Sequence, residues 1–296
     1  MHNLRLWGRK LRISDHRMFR MLWWSVNLLV LAGVVSLGYA SVREYSVRRY
    51  LDGFSDAIVP EPATPEQTVE AILLWMRSGP PRSDAAEPSG LSSRDPKANL
   101  NYRQLLSVCG TATNAFLNLA RSSDLSARRL LLLTADQNTK HVVAEVLIDG
   151  RWIIADPTYR VVFRDAQGRL LTRRDMQNPA VFAEAISTVP GYPREYSYEL
   201  FAHVRLAKLP LLGTGLGHTL DRIYPNWEEA VDWSLLLERE SFLALVISGG
   251  ATLFLMLQRF LLAWYADNRL QIPRFRLRQK IFRAGAAFLS TPEIKQ

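Results

Sequence analysis

The chain has 296 residues, 48% of them hydrophobic and 22% charged, which suits one medium domain with additions and leaves no need for a second large core. Its net charge of +9 is concentrated at the ends. Arg5, Arg9, Lys10, Arg12, Arg17 and Arg20 stand against Asp15 in the first twenty residues, while Arg259, Arg269, Arg274, Arg276, Arg278, Lys280, Arg283 and Lys295 stand against Asp267 and Glu293 in the last forty, so the middle carries about −2. The basic balance belongs to two tails, and no basic patch interleaved with aromatics lies between them, which argues against a nucleic-acid partner.

Each tail adjoins an apolar run. Residues 21–41 begin with "MLWWSVNLLVLAGVVSLGYA", uncharged over a length that crosses a bilayer core as a helix. Residues 241–265, "SFLALVISGGATLFLMLQRFLLAWY", form a second such run, in which Gly249-Gly250 is tolerable in lipid. Trp23, Trp24, Trp264 and Tyr265 sit nearest the basic tails, as interfacial anchors should. The positive-inside rule then predicts a two-pass protein of the cell inner (plasma) membrane, with cytoplasmic tails at 1–20 and 266–296 and an extracytoplasmic region at 42–240. A competing reading makes the first run a cleaved signal peptide ending at Gly38-Tyr39-Ala40, but the long basic leader and extended apolar stretch favour an uncleaved anchor. The second run could instead be a buried core helix, although the basic segment after it is a poor flank for a core.

A short polar stretch is expected after the first helix. Thr64, Pro65 and Gln67 then read as N-cap, first-turn proline and capping-box partner of a helix that shows Val69, Ile72, Leu73 and Met76 on one face and stops at Gly79-Pro80-Pro81. Residues 80–100, rich in Pro, Ser, Asp and Gly, read as a surface loop. Cys109 opens a helix with Ala112, Phe116, Leu119 and Ala120 on one face, ending around Arg121-Ser122-Ser123. Three strands follow, "RRLLLLT", "HVVAEVLI" and "RWIIAD", the last two joined by the tight turn Asp149-Gly150 and therefore antiparallel. A helix followed by an antiparallel meander is an α+β arrangement. Beyond Tyr159 the pattern weakens: residues 187–198 read as irregular, and 206–240 as amphipathic elements either near the membrane or packed on the domain.

Cys109 is the only cysteine, so it serves packing or chemistry and cannot close an internal disulfide. A helix N-terminus lowers a thiol's pKa, a nearby imidazole lowers it further and supplies a proton, and a carboxylate fixes the imidazole's tautomer. The hairpin places His141, at the start of one strand, and Asp156, at the end of the next, together at its open end. Singly, each residue has a bland explanation: a buried spacer, an edge histidine, an Asp-Pro turn. Jointly they point to a Cys109–His141–Asp156 constellation.

The segments "VCGTATNAFLNLARSSDLSAR" and "HVVAEVLIDGRWIIADPTYR" resemble the core of the transglutaminase-like superfamily of papain-type cysteine enzymes, over roughly residues 65–165. The resemblance implies a Cys–His–Asp triad of Cys109, His141 and Asp156 and acyl transfer through a thioester, in a protease, amidase or transglutaminase. Where relatives often carry Gly and Pro before the "AR", this chain has Asp124 and Ser126; where they often carry an aromatic two residues after the histidine, it has Val143, which is expected to widen the cleft. The oxyanion calls for the Cys109 N–H and an upstream side chain, for which Gln104 and Tyr102 are the candidates. Trp152 reads as core. No cofactor is expected and no metal, because His141, His203 and His218 lack ligand spacing and a lone Cys builds no zinc site. "GTGLG" at 213–217 lacks the strand a phosphate-binding loop requires. The expected partner is a protein, peptide or amide-bearing envelope polymer as substrate; hydrolysis is favoured over cross-linking because nothing visible excludes water. The alternative is a non-catalytic binding or scaffold component of an envelope machine, such as one for exopolysaccharide export.

Overall fold

The computed structural model describes residues 17–79, 82, 90–204, 219, 222–224 and 234–270. The chain divides into two compact units, one of Met1–Tyr39 with Ile247–Gln296 and one of Ala40–Val246. Two long helices, α1 (Arg17–Ile58) and one at Glu240–Tyr265, contribute to both.

In the first unit these helices are long and apolar enough to cross a membrane; the most apolar window of each has a mean hydropathy of 1.8, with 6% and 11% of its residues buried. Small and polar groups meet between them. Ser36 Oγ lies 3.2 Å from Ser248 Oγ, Arg259 Nε donates to Asn27 Oδ1 at 2.8 Å, and a Cβ at Gly33 would fall 2.9 Å from Thr252 Oγ1. Close approach at small residues and interhelical hydrogen bonds are what hold helices together in lipid.

The expected polar stretch after residue 41 is instead helical, because α1 continues to Ile58. Val47 and Leu51, one turn apart, are buried in the core of the second unit, so tertiary packing carries the helix through a run that reads as polar. Next comes α2 (Pro65–Ser78), whose Thr64/Gln67 capping box forms in both directions and whose Val69, Ile72, Leu73 and Met76 are buried as the periodicity predicts. The described part of 80–100 is not all loop: Gly90–Arg94 forms a 3-10 turn and α3 (Pro96–Asn101) starts from the side-chain cap of Asp95. A further 3-10 turn, Leu105–Ser107, leads into α4 (Cys109–Ser122).

The sheet has five antiparallel strands in the order β4-β3-β2-β1-β5, built from β1 (Ala127–Leu133), β2 (Thr139–Ile148), β3 (Arg151–Asp156), β4 (Val161–Val162) and β5 (Phe201–Ala202). The β2–β3 turn has Asp149 at φ 48 and Gly150 at φ 75, the left-handed pair that a two-residue hairpin needs. One face of the sheet, with Ala144, Val146, Ile148 and Ile153, packs with α1, α2 and α4 in the larger core. The other face, with Leu130, Leu132, Val143 and Ile154, packs against α5 (Arg173–Met176), α6 (Pro179–Ser187) and a tyrosine-rich segment around Tyr192 and Tyr198. The architecture is α+β. Two helices close the described chain, α7 (Ser234–Glu238) and α8 (Glu240–Tyr265), followed by a π-helical turn at Ala266–Leu270. The amphipathic elements expected at 206–240 fall largely outside the described residues, as do the "GTGLG" stretch and His218.

Candidate active site

The site begins at the N-terminus of α4. Val108 supplies no side-chain cap, so the first N–H groups of the helix lack the oxygen that usually satisfies them. Cys109 is half-buried there, against Leu131, Leu133 and Val142. The β2–β3 ladder ends at the pair Ala144–Ala155, and beyond Asp156 the next residue of that strand's chain is Pro157. Proline has no N–H to offer, and the Val142 backbone turns to α4 instead. Its carbonyl accepts from Thr113 Oγ1 at 3.0 Å, and its N–H donates to the Cys109 sulfur, as does the N–H of Gly110.

His141 lies next to a bulge. Leu132 pairs with His141 and Leu133 with Thr139, so Lys140 is the extra residue in β2. Bulges re-aim the side chains beside them. His141 and Asp156 are diagonal neighbours in the register, and His141 Nε2 lies 2.7 Å from Asp156 Oδ2. That bond engages Nε2 and leaves Nδ1 for the thiol, with which His141 is hydrogen-bonded. The structure therefore brings Cys109, His141 and Asp156 together.

Asp156 is wholly buried and well supplied with donors. Its Oδ1 accepts from the N–H groups of Thr158 at 3.0 Å and Tyr159 at 3.3 Å, and the Tyr192 hydroxyl bonds to the same carboxylate. The hydrogen bond to His141 is the largest influence on the Cys109 thiol and brings its pKa below the ordinary 9.0; burial opposes, while the His141 charge and the N–H groups of Val142 and Gly110 assist. For His141, burial is the largest influence and alone would lower the pKa. The bonds and charges of Asp156 and Cys109 outweigh it and raise the pKa from 6.5 to about 9. Both shifts favour the charged forms of the pair, thiolate and imidazolium, over the neutral ones.

Three tyrosines that the sequence did not single out surround the imidazole. Tyr196 stacks on it, with ring centroids 4.4 Å apart and planes 8° from parallel, while Tyr159 and Tyr192 approach edge-on at 6.0 and 6.5 Å. Burial holds the phenol of Tyr192 far above its ordinary pKa and that of Tyr196 up to about 12, so these rings remain neutral. For Tyr192 and Tyr196 the one available signal was the density of tyrosine in "PGYPREYSY", a stretch without periodicity. Val143, expected to widen the cleft, is fully buried in the second core; the ring beside the imidazole comes from Tyr196. Asp124 adopts φ 59, a left-handed position that aspartate tolerates and where relatives often carry Gly.

The other candidates lie apart from this cluster. Gln104 precedes the Leu105–Ser107 turn with its Oε1 buried and unpartnered, Tyr102 caps the end of α3, and neither has a described contact with Cys109. Trp152 is half-buried beneath the Arg128 guanidinium, 4.1 Å from its ring centroid. Among the described residues, no group of three or more His, Cys, Asp or Glu side chains could hold a metal.

Residues 52–157 match the family model of the transglutaminase-like superfamily. This stretch is a transglutaminase-like domain. It contains Cys109, His141 and Asp156, begins within α1 and ends at Pro157. Comparisons with curated proteins and with solved structures give no match.

Proposed function

We propose that the protein is a membrane-anchored cysteine enzyme that transfers an acyl group from an amide through a thioester on Cys109. The observation that carries this reading is the 2.7 Å bond of His141 Nε2 to Asp156, which leaves the other imidazole nitrogen to a thiol at an uncapped helix N-terminus. The Cys109 thiolate attacks the amide carbonyl carbon and the carbonyl oxygen takes the negative charge. The Cys109 N–H faces that oxyanion, with Gln104 or Tyr102 as a side-chain donor. As the C–N bond breaks, His141 gives its proton to the departing amine. Now neutral, the imidazole takes a proton from water or from a second amine, which attacks the thioester and frees the thiolate. Release by water is favoured because Cys109 is partly exposed.

The two apolar helices and the basic residues outside them support a two-pass arrangement in the inner (plasma) membrane, with residues 42–240 extracytoplasmic and both termini cytoplasmic. The substrate is then an amide-bearing protein or polymer of the envelope.

The test is the pH dependence of Cys109 alkylation by iodoacetamide in the full chain in detergent, where a single thiol makes the label unambiguous. The expected midpoint lies well below the usual thiol value, and His141→Ala moves it back up. A midpoint at the ordinary value, unchanged by that substitution, would leave a binding or scaffold component of an envelope assembly as the function.

A further inference from the structure

Four arginines, none with a described ion pair, gather around the chain that follows Asp156. Arg77, in the last turn of α2, donates Nη2 to the carbonyl of Arg160 at 2.9 Å. Arg160 follows Asp156 by four residues, holds a left-handed φ of 56, and adjoins Tyr159, whose ring flanks His141. The Arg82 guanidinium lies 4.4 Å above the Trp75 ring and donates to the Trp75 carbonyl at 3.1 Å. Gly79 makes room for it, since a Cβ there would fall 2.7 Å from Arg82 Nη2. Arg103 immediately precedes Gln104, and its charge acts on both Arg82 and Arg160; the charge of Arg160 acts on Arg82 as well, and that of Arg77 on Arg160.

The contrast with Arg164 sets the cluster apart. Arg164 lines the same groove as Arg77 and Arg160, a space of about 400 Å³ bordered also by Leu73 and Val162. It is clamped by Glu66 and Glu70. Among the described residues, none of the other four arginines has an ion pair, and the Nε atoms of Arg82 and Arg160 and the Oγ1 of Thr158 are buried without hydrogen-bond partners. Crowding like charges and desolvating donors is costly unless an anion completes the set, and planar guanidinium forks suit carboxylate and phosphate oxygens.

We propose that Arg77, Arg82, Arg103 and Arg160 form a subsite for an oxyanion, carboxylate or phosphate, carried by the acyl substrate. The subsite rests on the acyl-transfer reading and narrows it: the amide that reaches Cys109 belongs to an anionic peptide or polymer. Arg103 and Arg77 are exposed and able to capture such a group first, and the half-buried Arg82 and Arg160 then receive it.

The experiment compares alkylation of Cys109 by anionic iodoacetate and by neutral iodoacetamide, at low ionic strength, in the detergent-solubilised full chain. Arg103→Gln, at an exposed position, and Arg103→Gln with Arg160→Gln are expected to lower the iodoacetate-to-iodoacetamide ratio several-fold while iodoacetamide alone reacts as before. Tri-glutamate or inorganic pyrophosphate is expected to slow iodoacetate in the wild type and to lose that effect in the double variant; the stronger of the two identifies the oxyanion. An unchanged ratio in both variants, or no competition by either anion, overturns the subsite while rapid iodoacetamide labelling leaves the acyl-transfer reading standing. Slow iodoacetamide labelling that His141→Ala does not alter removes that reading, and the subsite with it.

Discussion

Helix α4 meets charge at both ends, and the two ends use it differently. At its start, an uncapped N-terminus faces a half-buried thiol whose charge is favoured chiefly by one imidazole. Towards its other end, Asn118 accepts from Arg239 Nε at 3.0 Å, Arg239 donates to Glu44 at 2.8 Å, and Ser241 and Arg48 complete the Glu44 carboxylate at 2.7 and 2.8 Å. Arg121 pairs with the fully buried Glu238. The second network joins α4 to the domain ends of α1 and α8 with fixed ions in several bonds each, and such a set gives position. The first holds ions that can exchange a proton, and such a set gives reactivity. One helix thus ties a mobile proton to a rigid mount.

That contrast is broken most forcefully at Glu44. Glu44→Ala strands Arg239 among buried groups and is expected to cost about 3–5 kcal/mol of stability, read as a fall in thermal midpoint, with Cys109 alkylation unchanged below that midpoint. At the other end, His141→Ala is expected to slow iodoacetamide labelling at neutral pH on the order of ten-fold. Asp156→Asn should act on the upper limb of the pH profile, since it removes the charge that helps hold His141 at about 9; loss of the imidazolium is then expected at a lower pH.

Stability itself should follow the pair. His141, raised from 6.5 to about 9, contributes stability that is complete below 6.5 and lost as pH rises through 9. Cys109, lowered from 9.0, contributes stability that is complete above 9.0 and lost as pH falls through its folded value. The attraction between the two charges is shared by both shifts and stabilises only while both groups are ionised, between the folded value of Cys109 and about 9, and unfolding measured against pH should lose this window in His141→Ala. The smallest effect is expected at Tyr196: Tyr196→Ala removes the stacked ring and should slow labelling a few-fold, whereas Tyr196→Phe keeps the ring and most of the rate.

Local signals made part of this molecule legible in its sequence. The Thr64–Gln67 box, the Asp149-Gly150 turn and the α4 periodicity are each complete within a few residues, and each appears where it was expected. The end of α1 was missed because Arg43, Arg48, Arg49 and Asp52 read as a solvated tail, although Val47 and Leu51 already held the helical spacing. Asp95-Pro96, a capping pair, marked α3 inside what otherwise read as loop. The hairpin spacing brought His141 and Asp156 to one end of the sheet, but not the bulge at Lys140 or the diagonal pairing. Tyr192 and Tyr196 were invisible as neighbours of His141 because only the return of the chain after α6 carries them there.

Pro157 matters for a hydrogen it lacks. Any other amino acid at that position would bring an N–H donor to the end of the β2–β3 ladder, where the Val142 carbonyl now accepts from the Thr113 hydroxyl. If that donor took the carbonyl, α4 would lose the strap that seats its first turn, and the sulfur would drift from the ring beside it.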